Sequence, residues 1–294
     1  MRTKSILVVV VVCVMVLANI ASATTVRGID IDFVTIGNQG NASDTQVMDD
    51  GTTGYGAVGY DYRIGKYEVT NAQWNVFTAA VGAPTGYPSN AYDNSAYYNG
   101  AQQPTNCISW YEALQFCNYL TSGDKSKGVY QFNGNNANPG NFLRIDRAAA
   151  QATYGTLYFL PTESEWYKAA YYKPDGSGYT LYAKEGFFVA CHGQREPYSG
   201  PWNVGTGTQE QNGTFDMMGN VWEWNEDMIY GGARVLRGGS FTYTGEIDVL
   251  ASTYRGAMGP FEDNFSLGFR VAAVPEPATF FLLGLGGLAL RRRK

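Results

Sequence analysis

The run 212–224, with the sequence NGTFDMMGNVWEW, limits what this chain can fold into more than any other stretch. It holds two carboxylates, Asp216 and Glu223, on either side of Gly219 and Asn220. Glycine reaches positive φ without a steric penalty and asparagine tolerates it, so this pair predicts a chain reversal. A reversal at this point lets the two carboxylates face each other.

Carboxylates and backbone carbonyls are the hard oxygen ligands that Ca²⁺ prefers. The side chains of Asp216 and Glu223, with the carbonyls of Gly219 and Val221 between them, therefore predict a calcium-binding loop. Trp222 and Trp224 lie two apart in an extended segment, so they would anchor the loop in a core on the same side. The alternative is that Asp216 caps a turn, Glu223 is solvated and the tryptophans are ordinary core.

Both ends of the chain carry targeting features. Residues 1–23 hold two basic residues, an apolar run 6–18 and the small residues Ala21, Ser22 and Ala23, which predict a cleaved secretory signal with Thr24 as the new N-terminus. The alternative is an uncleaved anchor.

Residues 275–294 combine Pro-Glu-Pro, an apolar run 278–290 and a basic end, Arg-Arg-Arg-Lys. Thirteen apolar residues fall short of the roughly 20 that span a bilayer as a free helix, although basic side chains can extend the reach. The three parts together resemble the PEP-CTERM sorting tail of Gram-negative bacteria, which an exosortase recognises and cleaves. The resemblance implies an exported protein of the cell envelope, the cell surface or the extracellular matrix, and a simple membrane anchor is the alternative.

Charge and composition exclude one class of partner. The whole chain has 21 basic and 26 acidic residues, and six of the basic ones lie in the two terminal segments. The domain between them is therefore acidic, whereas nucleic-acid-binding proteins carry basic patches. We expect no nucleic-acid partner, and the 36 glycines and 22 tyrosines are typical of a loop-rich exported binding domain.

The cysteines leave more than one arrangement open. Cys13 lies in the predicted signal, so Cys107, Cys117 and Cys191 remain, and an odd number cannot all pair within the chain. One disulfide and buried free thiols are both possible, the latter for Cys117 in a helical pattern. His192 is the one histidine, and beside Cys191 in an extended chain it would point away from it.

Three helices are predicted from one N-terminal signal, a capping Ser or Thr followed three residues later by Glu or Gln. The pairs are Thr70 with Gln73, Ser109 with Glu112, and Thr162 with Glu165. The helices are expected to end at Gly82, before Gly123 and before Pro174. Strand-like runs are 31–41, 60–69, 235–241 and 267–273. Residues 83–104 and 122–156 are expected to be loops, so residues 24–274 are interpreted as one irregular α+β domain.

Six segments in order, YRIGKYEVTNAQW, ISWYEALQFCNYL, YFLPTESEW, FDMMGNVWEW, RVLRGGSF and LGFRVA, resemble the formylglycine-generating enzyme family, also called sulfatase-modifying factor domains. The likeness covers nearly all of residues 31–273. It implies an irregular, loop-rich α+β fold of the C-type lectin-like kind, with bound Ca²⁺. It also implies the same calcium ligands as above, and a second calcium site beginning at Asn203 and Val204, whose acidic partner has no clear match here.

The family's chemistry does not carry over to this sequence. Its active members oxidise a substrate cysteine to formylglycine with O₂, using two cysteines shortly after Gly-Gly-Ser to hold Cu(I). Cu(I) prefers soft thiolates, but Tyr243 stands about where the first thiol belongs, and no cysteine follows residue 191. Copper is therefore not expected. Ser240 and Arg255 fall in the matching segment, where they either line a groove or are structural.

We therefore expect a non-catalytic, Ca²⁺-stabilised domain that binds an extracellular polysaccharide or an envelope protein. The alternative is a formylglycine-generating oxidase, or another enzyme acting on exported sulfatase-like substrates. That alternative requires a remote cysteine to reach the groove beside Ser240.

Overall fold

The computed structural model describes residues 22–85, 98–135, 140–184, 200–243 and 247–275. Most of the predicted signal, the tail from residue 276, Cys191 and His192 lie outside these ranges. The helices are α1 Asn71–Val81, α2 Trp110–Ser122, α3 Arg147–Tyr154 and α4 Glu163–Tyr171. The strands are β1 Ser22–Val26, β2 Ile29–Ile36, β3 Tyr62–Gly65, β4 Tyr130–Phe132, β5 Phe142–Ile145, β6 Leu157–Phe159, β7 Trp222–Met228, β8 Arg234–Arg237, β9 Gly256–Met258, β10 Leu267–Gly268 and β11 Ala272–Val274.

All three predicted helices form, and each begins with the predicted capping box. In α4, for example, the Thr162 hydroxyl accepts from the N–H of Glu165, whose carboxylate accepts from the N–H of Thr162 at 2.6 Å. These reciprocal bonds satisfy backbone donors that an isolated helix leaves unpaired. Gly82 and Gly123 follow α1 and α2 as predicted, both with positive φ.

The strands form three sheets of different size. Five strands pair in the order β1-β2-β3-β11-β6, and all of their contacts are antiparallel. Four strands pair in the order β10-β7-β8-β9, in which β10 runs parallel to β7. The third sheet is the β4-β5 pair. Helices and sheets together confirm the irregular α+β interpretation.

The closing strand predicted over 267–273 is wrong as a single element. The chain pairs with β7 as β10, crosses over, and then enters the five-stranded sheet between β3 and β6 as β11. Arg270 lies at the crossing and is fully buried. Its side chain bonds to Glu223 of β7 and to the carbonyl of Gly65 at the end of β3.

The loop predicted over 122–156 is also wrong, because β4, β5 and α3 lie within it. Helix α3 begins at the N-cap Asp146, whose carboxylate accepts from the N–H of Ala149 at 3.0 Å. It has no Glu or Gln three residues after the cap, so the pattern that predicts the other helices does not mark it. No helix in the described ranges is long and apolar enough to cross a bilayer.

Aromatic packing connects the helices to the sheets and positions the 216–224 loop. Trp74 of α1 stacks on Phe116 of α2, with ring centroids 5.8 Å apart and an interplanar angle of 15°. The indole of Trp110 donates to the carbonyl of Asn225 in β7 at 3.0 Å. Helix α4 brings the fully buried Trp166 against the same strand. Strand β7, which holds Glu223, is therefore fixed from two helices.

Candidate functional site

The chain reverses direction at Gly219 and Asn220, as predicted. Their φ angles are 101° and 60°, and Asp216 also has a positive φ of 64°. The N–H of Gly219 donates to the carbonyl of Gly238 at 2.7 Å, which ties the reversal to the end of β8. Trp222 and Trp224 are buried as predicted, and the Trp224 indole donates to the carbonyl of Ile108 at 2.7 Å.

The alternative interpretation, in which Glu223 is solvated, is wrong: Glu223 is fully buried and pairs with Arg270. The Arg270 Nη2 donates to Oε1 at 2.6 Å, and its Nε donates to Oε2 at 2.7 Å. The indole of Trp166 also donates to Oε2, at 2.7 Å. This bidentate, charge-assisted geometry is the strongest form of carboxylate recognition.

Arg270 also donates hydrogen bonds to backbone carbonyls around the pair. Its Nη1 donates to the carbonyl of Gly65 at 3.0 Å, and its Nη2 donates to that of Phe215 at 2.9 Å. Burial alone would lower the pKa of the guanidinium, but Glu223 beside it raises the Arg270 pKa above its ordinary value. Arg270 thus stays charged, and its bonds join β7, the end of β3 and the residue before Asp216.

Three further carboxyl groups are buried around this pair. The Glu68 carboxylate accepts from the side-chain amide of Asn220 at 2.6 Å and from the N–H of Val221 at 3.2 Å. The Asp216 carboxylate accepts from the N–H of Gly205 at 2.7 Å. The Glu210 carboxylate accepts from the hydroxyl of Thr214 at 2.9 Å. We call Glu68, Glu210, Asp216 and Glu223 the acidic cluster.

Burial is the main cause that raises the pKa of three members of the acidic cluster. It raises the pKa of Asp216 to about 6 and that of Glu210 to about 8. The pKa of Glu68 lies well above its ordinary value, through burial first and then the charges of Asp216 and Glu223. Four carboxyl groups therefore share one buried guanidinium, and their excess negative charge favours either protons or a cation.

The predicted calcium ligands can be tested against this geometry. An ionised carboxylate offers about four lone-pair positions, and Glu223 already uses three of them for Arg270 and Trp166. It can therefore give a cation only one oxygen, Oε1. Among the described residues no group of three His, Cys, Asp or Glu side chains is placed to hold a metal. The predicted calcium site does not require such a group, because it uses two carboxylates and the backbone carbonyls of Gly219 and Val221. The donor chemistry fits Ca²⁺, and the ligand set stays a prediction.

The second predicted calcium site meets the first at Asp216. The N–H of Gly205, directly after Asn203 and Val204, donates to Asp216. The Asn203 carbonyl accepts from both the N–H and the hydroxyl of Thr206, at 3.1 and 2.6 Å. These two bonds occupy both lone pairs of the carbonyl oxygen, so it is a poor ligand for a calcium ion.

Sequence reasoning missed Glu68. This residue lies in a cleft of about 500 Å³ between the start of β2, the 67–70 segment and the first turns of α1, and Val204 lies on the same wall. Asp30, Asp32 and Gln102 also line the cleft. An acidic residue between Tyr67 and Val69, in a run otherwise typical of a buried strand, is the signal that could have identified it.

The side chains at the positions that match the family's catalytic segment are bonded or packed within the fold. Ser240 is fully buried, and its hydroxyl bonds with that of Thr242 at 2.7 Å within a turn. Arg255 pairs with Glu163 through its Nε and Nη2, each at 2.7 Å, and with Asp50. The rings of Tyr243 and Trp222 meet edge to face, 5.7 Å between centroids.

The two described cysteines are both buried, and no disulfide joins them. Cys117 is a buried free thiol within α2. Burial raises its pKa well above the ordinary value, and the charge of Glu226 adds to this, so the thiolate is disfavoured. Cys107 is buried, does not bond to Cys117, and its N–H donates to the carbonyl of Asn264. Cys191 lies outside the described residues.

Glu210 provides a test of the acidic cluster through pH. Its folded pKa is raised from 4.5 to about 8, so the folded state binds the proton more tightly than the unfolded state. The stability it contributes is fully present below its unfolded pKa and is lost as the pH rises through about 8, at about 1.4 kcal/mol for each pKa unit. Glu210→Gln keeps a neutral polar group, so urea unfolding of this variant in EDTA should depend less on pH than that of the native chain. An unchanged pH dependence would show that the pKa of Glu210 is not raised in the folded state.

Solved structures with a similar fold include Treponema denticola variable protein 1, with a TM-score of 0.62 and 22% identity, covering 88% of this chain and 100% of that one. CarF has a TM-score of 0.59 and 21% identity, covering 84% of this chain and 99% of the other. PvdO from Pseudomonas aeruginosa has a TM-score of 0.57 and 17% identity, with 84% and 95% covered. The fold is the irregular C-type lectin-like α+β fold of formylglycine-generating enzymes.

A curated relative is "Chaperone protein LppX" of Paenibacillus barcinonensis, 26% identical over 229 residues, or 68% of this chain and 77% of the relative. The PEP-CTERM protein-sorting motif matches residues 273–294, so the chain carries the sorting signal of an exported, envelope- or surface-associated protein. The model of the sulfatase-modifying factor enzyme 1-like domain matches residues 40–274. The chain therefore belongs to the sulfatase-modifying factor domain family, with a PEP-CTERM sorting tail.

Proposed function

We propose that this chain is a ligand-binding member of its family that has lost the copper chemistry of the catalytic members. The observation that carries the proposal is the aromatic packing after Gly-Gly-Ser. Tyr243, which stands about where the first thiol belongs, packs against Trp222, and Trp222 packs against Tyr254 with centroids 5.8 Å apart. Phenol and indole groups do not hold Cu(I).

The cleft beside Glu68 is the binding site that the geometry favours. Its walls offer the carboxylates of Asp30 and Asp32, the amide of Gln102 and the ring of Tyr67. Carboxylate and amide groups bond to hydroxyl and amine donors, and an aromatic ring gives a flat apolar contact. These groups suit an extracellular polysaccharide or a lysine-bearing segment of an envelope protein. The name of the relative LppX, a chaperone, favours a protein ligand.

Ca²⁺ would stabilise the wall of this cleft from behind. The side chains of Asp216 and Glu223 and the carbonyls of Gly219 and Val221 would hold it, and its charge would offset the excess negative charge of the acidic cluster. Because the amide of Asn220 and the N–H of Val221 bond to Glu68, a fixed loop also fixes Glu68. The sorting tail would be processed by an exosortase, which places the domain in the envelope, at the surface or in the matrix.

The alternative, a formylglycine-generating oxidase, requires two thiols at one place. Of the described cysteines, Cys107 is connected to the segment after Ser240, since Asn264 precedes Phe265 and the rings of Phe265 and Phe241 are 6.0 Å apart. Cys117 lies instead within α2, where the charge of Glu226 acts on its thiol. Cys191 would have to supply the second thiolate.

The oxidase is tested directly by incubating the purified protein with a sulfatase-type cysteine peptide, Cu(I) and O₂, and weighing the peptide by mass spectrometry. We expect no conversion of thiol to aldehyde, beside an active family member as the positive control. Conversion that disappears in a Cys107→Ser variant would show that the family chemistry survives and that our proposal is wrong.

The cleft is tested by pull-down from envelope extract and from extracellular polysaccharide. A double variant, Asp32→Ala with Gln102→Ala, removes groups from the cleft walls and should lose bound material severalfold. The control, Glu262→Ala with Gln39→Ala, removes the same kinds of group from exposed positions that are not among the cleft's lining residues, and should bind as the native chain does. Equal recovery with both variants would rule out this cleft as the site.

Calcium is tested by thermal melting with and without EDTA. A ligand present at about 100 times its Kd stabilises the folded state by about 2.7 kcal/mol, so chelation should lower the Tm. Glu223→Gln should lose this response as well as its ion pair. Glu226→Gln is the matched control, since Glu226 is also buried and paired with an arginine, Arg147, but lies outside the loop. It should lose stability and keep the calcium response, whereas an identical response in all three chains would refute the assignment.

A further inference from the structure

Both terminal segments meet the domain at the same end of the five-stranded sheet. Strand β1 starts there, with Ser22 opposite Phe33 of β2. Strand β2 runs toward this end, where Ile36 pairs with Tyr62. Strand β11 runs parallel to β2 and leaves at the same end, with Val274 opposite Leu157. Three strand spacings separate β1 from β11, or about 14 Å.

Little chain separates this end of the sheet from the apolar runs. Ala278, where the C-terminal run begins, is three residues beyond Pro275, and three residues span about 10 Å at most. On the N-terminal side, the run that ends at Ala18 is four residues before Ser22, so it adjoins the same end until the predicted signal is cleaved. A helix of thirteen residues is about 20 Å long, against about 30 Å of hydrocarbon. The tail therefore has no spare length, and insertion draws this end of the sheet to the membrane surface.

The surface beside the tail exit suits a membrane interface. We call residues 151–156, which join α3 to β6, the α3–β6 corner. The side-chain amide of Gln151 donates to the carbonyl of Pro275 at 3.4 Å, so the corner adjoins the point where the tail leaves. No charged residue occurs from 148 to 157, and Ala152 and Thr153 are exposed. Tyr154 is 37% exposed, and tyrosine is enriched at bilayer interfaces.

We propose that the α3–β6 corner rests on the phospholipid bilayer while the tail is inserted, so that the domain has a fixed orientation on the membrane. The cleft beside Glu68 lies at the other end of the sheet, since it includes Gly28 in the β1–β2 turn. In this orientation the cleft opens away from the lipid. The inference depends on insertion of the tail and not on the ligand or the calcium site, so it can fail or hold independently of the proposed function.

The test uses the full chain with Cys13 and Cys191 replaced by serine, reconstituted in phosphatidylethanolamine and phosphatidylglycerol vesicles. One nitroxide is placed by Ala152→Cys in the corner or by Ala79→Cys on α1, which lies beside Gly28 at the opposite end. Both alanines are exposed helical positions. A label at Leu283→Cys in the apolar run reports insertion, and a chain without an added cysteine measures background labelling of the buried Cys107 and Cys117.

The readout is the collision rate of each nitroxide with dissolved O₂ and with a water-soluble nickel complex. With the Leu283 label in lipid, the Ala152 label should collide severalfold less with nickel, relative to O₂, than the Ala79 label. Thr153→Cys gives a second label in the corner and should agree. Equal nickel accessibility at both ends of the sheet would overturn the proposal, and greater accessibility at Ala152 would show the opposite orientation.

Discussion

The bidentate pair between Glu223 and Arg270 is the interaction on which the rest of the structure depends. Neither side chain is exposed, and each loses several kcal/mol of hydration when it is buried. Three short hydrogen bonds to Glu223, one from Trp166, offset that loss. Since Arg270 lies where the chain passes from β10 to β11, the same pair holds the four-stranded and five-stranded sheets together.

The pair leaves a charge imbalance that shapes the neighbouring site. Arg270 pairs with Glu223, but no arginine among the described residues pairs with Glu68, Glu210 or Asp216. The pKa values of these three buried groups rise. A proton and a cation relieve the same excess of negative charge. A cation bound in this loop would therefore displace protons from these carboxyl groups, which would link its binding thermodynamically to pH.

Local signals in the sequence predict the parts of the fold that local interactions determine. The capping boxes at Thr70, Ser109 and Thr162 each involve residues three apart, and all three form. The reversal at Gly219 and Asn220 is likewise a property of two neighbouring residues. The division of 267–273 between two sheets depends on partners more than 40 residues away, and so does the Arg270 partner of Glu223. The hydrophobic periodicity of the sequence predicts neither the division of 267–273 nor the pairing of Glu223 with Arg270.

The residues that hold the fold differ from the cysteines that carry the family's chemistry. The fold can therefore persist in a chain that lacks those cysteines. The loop is fixed by Arg270, by Trp166 and by the bond from Trp224 to Ile108, and none of these uses a thiol. Tyr243, which stands about where the first thiol belongs, packs against Trp222. Since these contacts do not depend on a thiol, the cleft beside Glu68 does not need the family's cysteines to keep its shape.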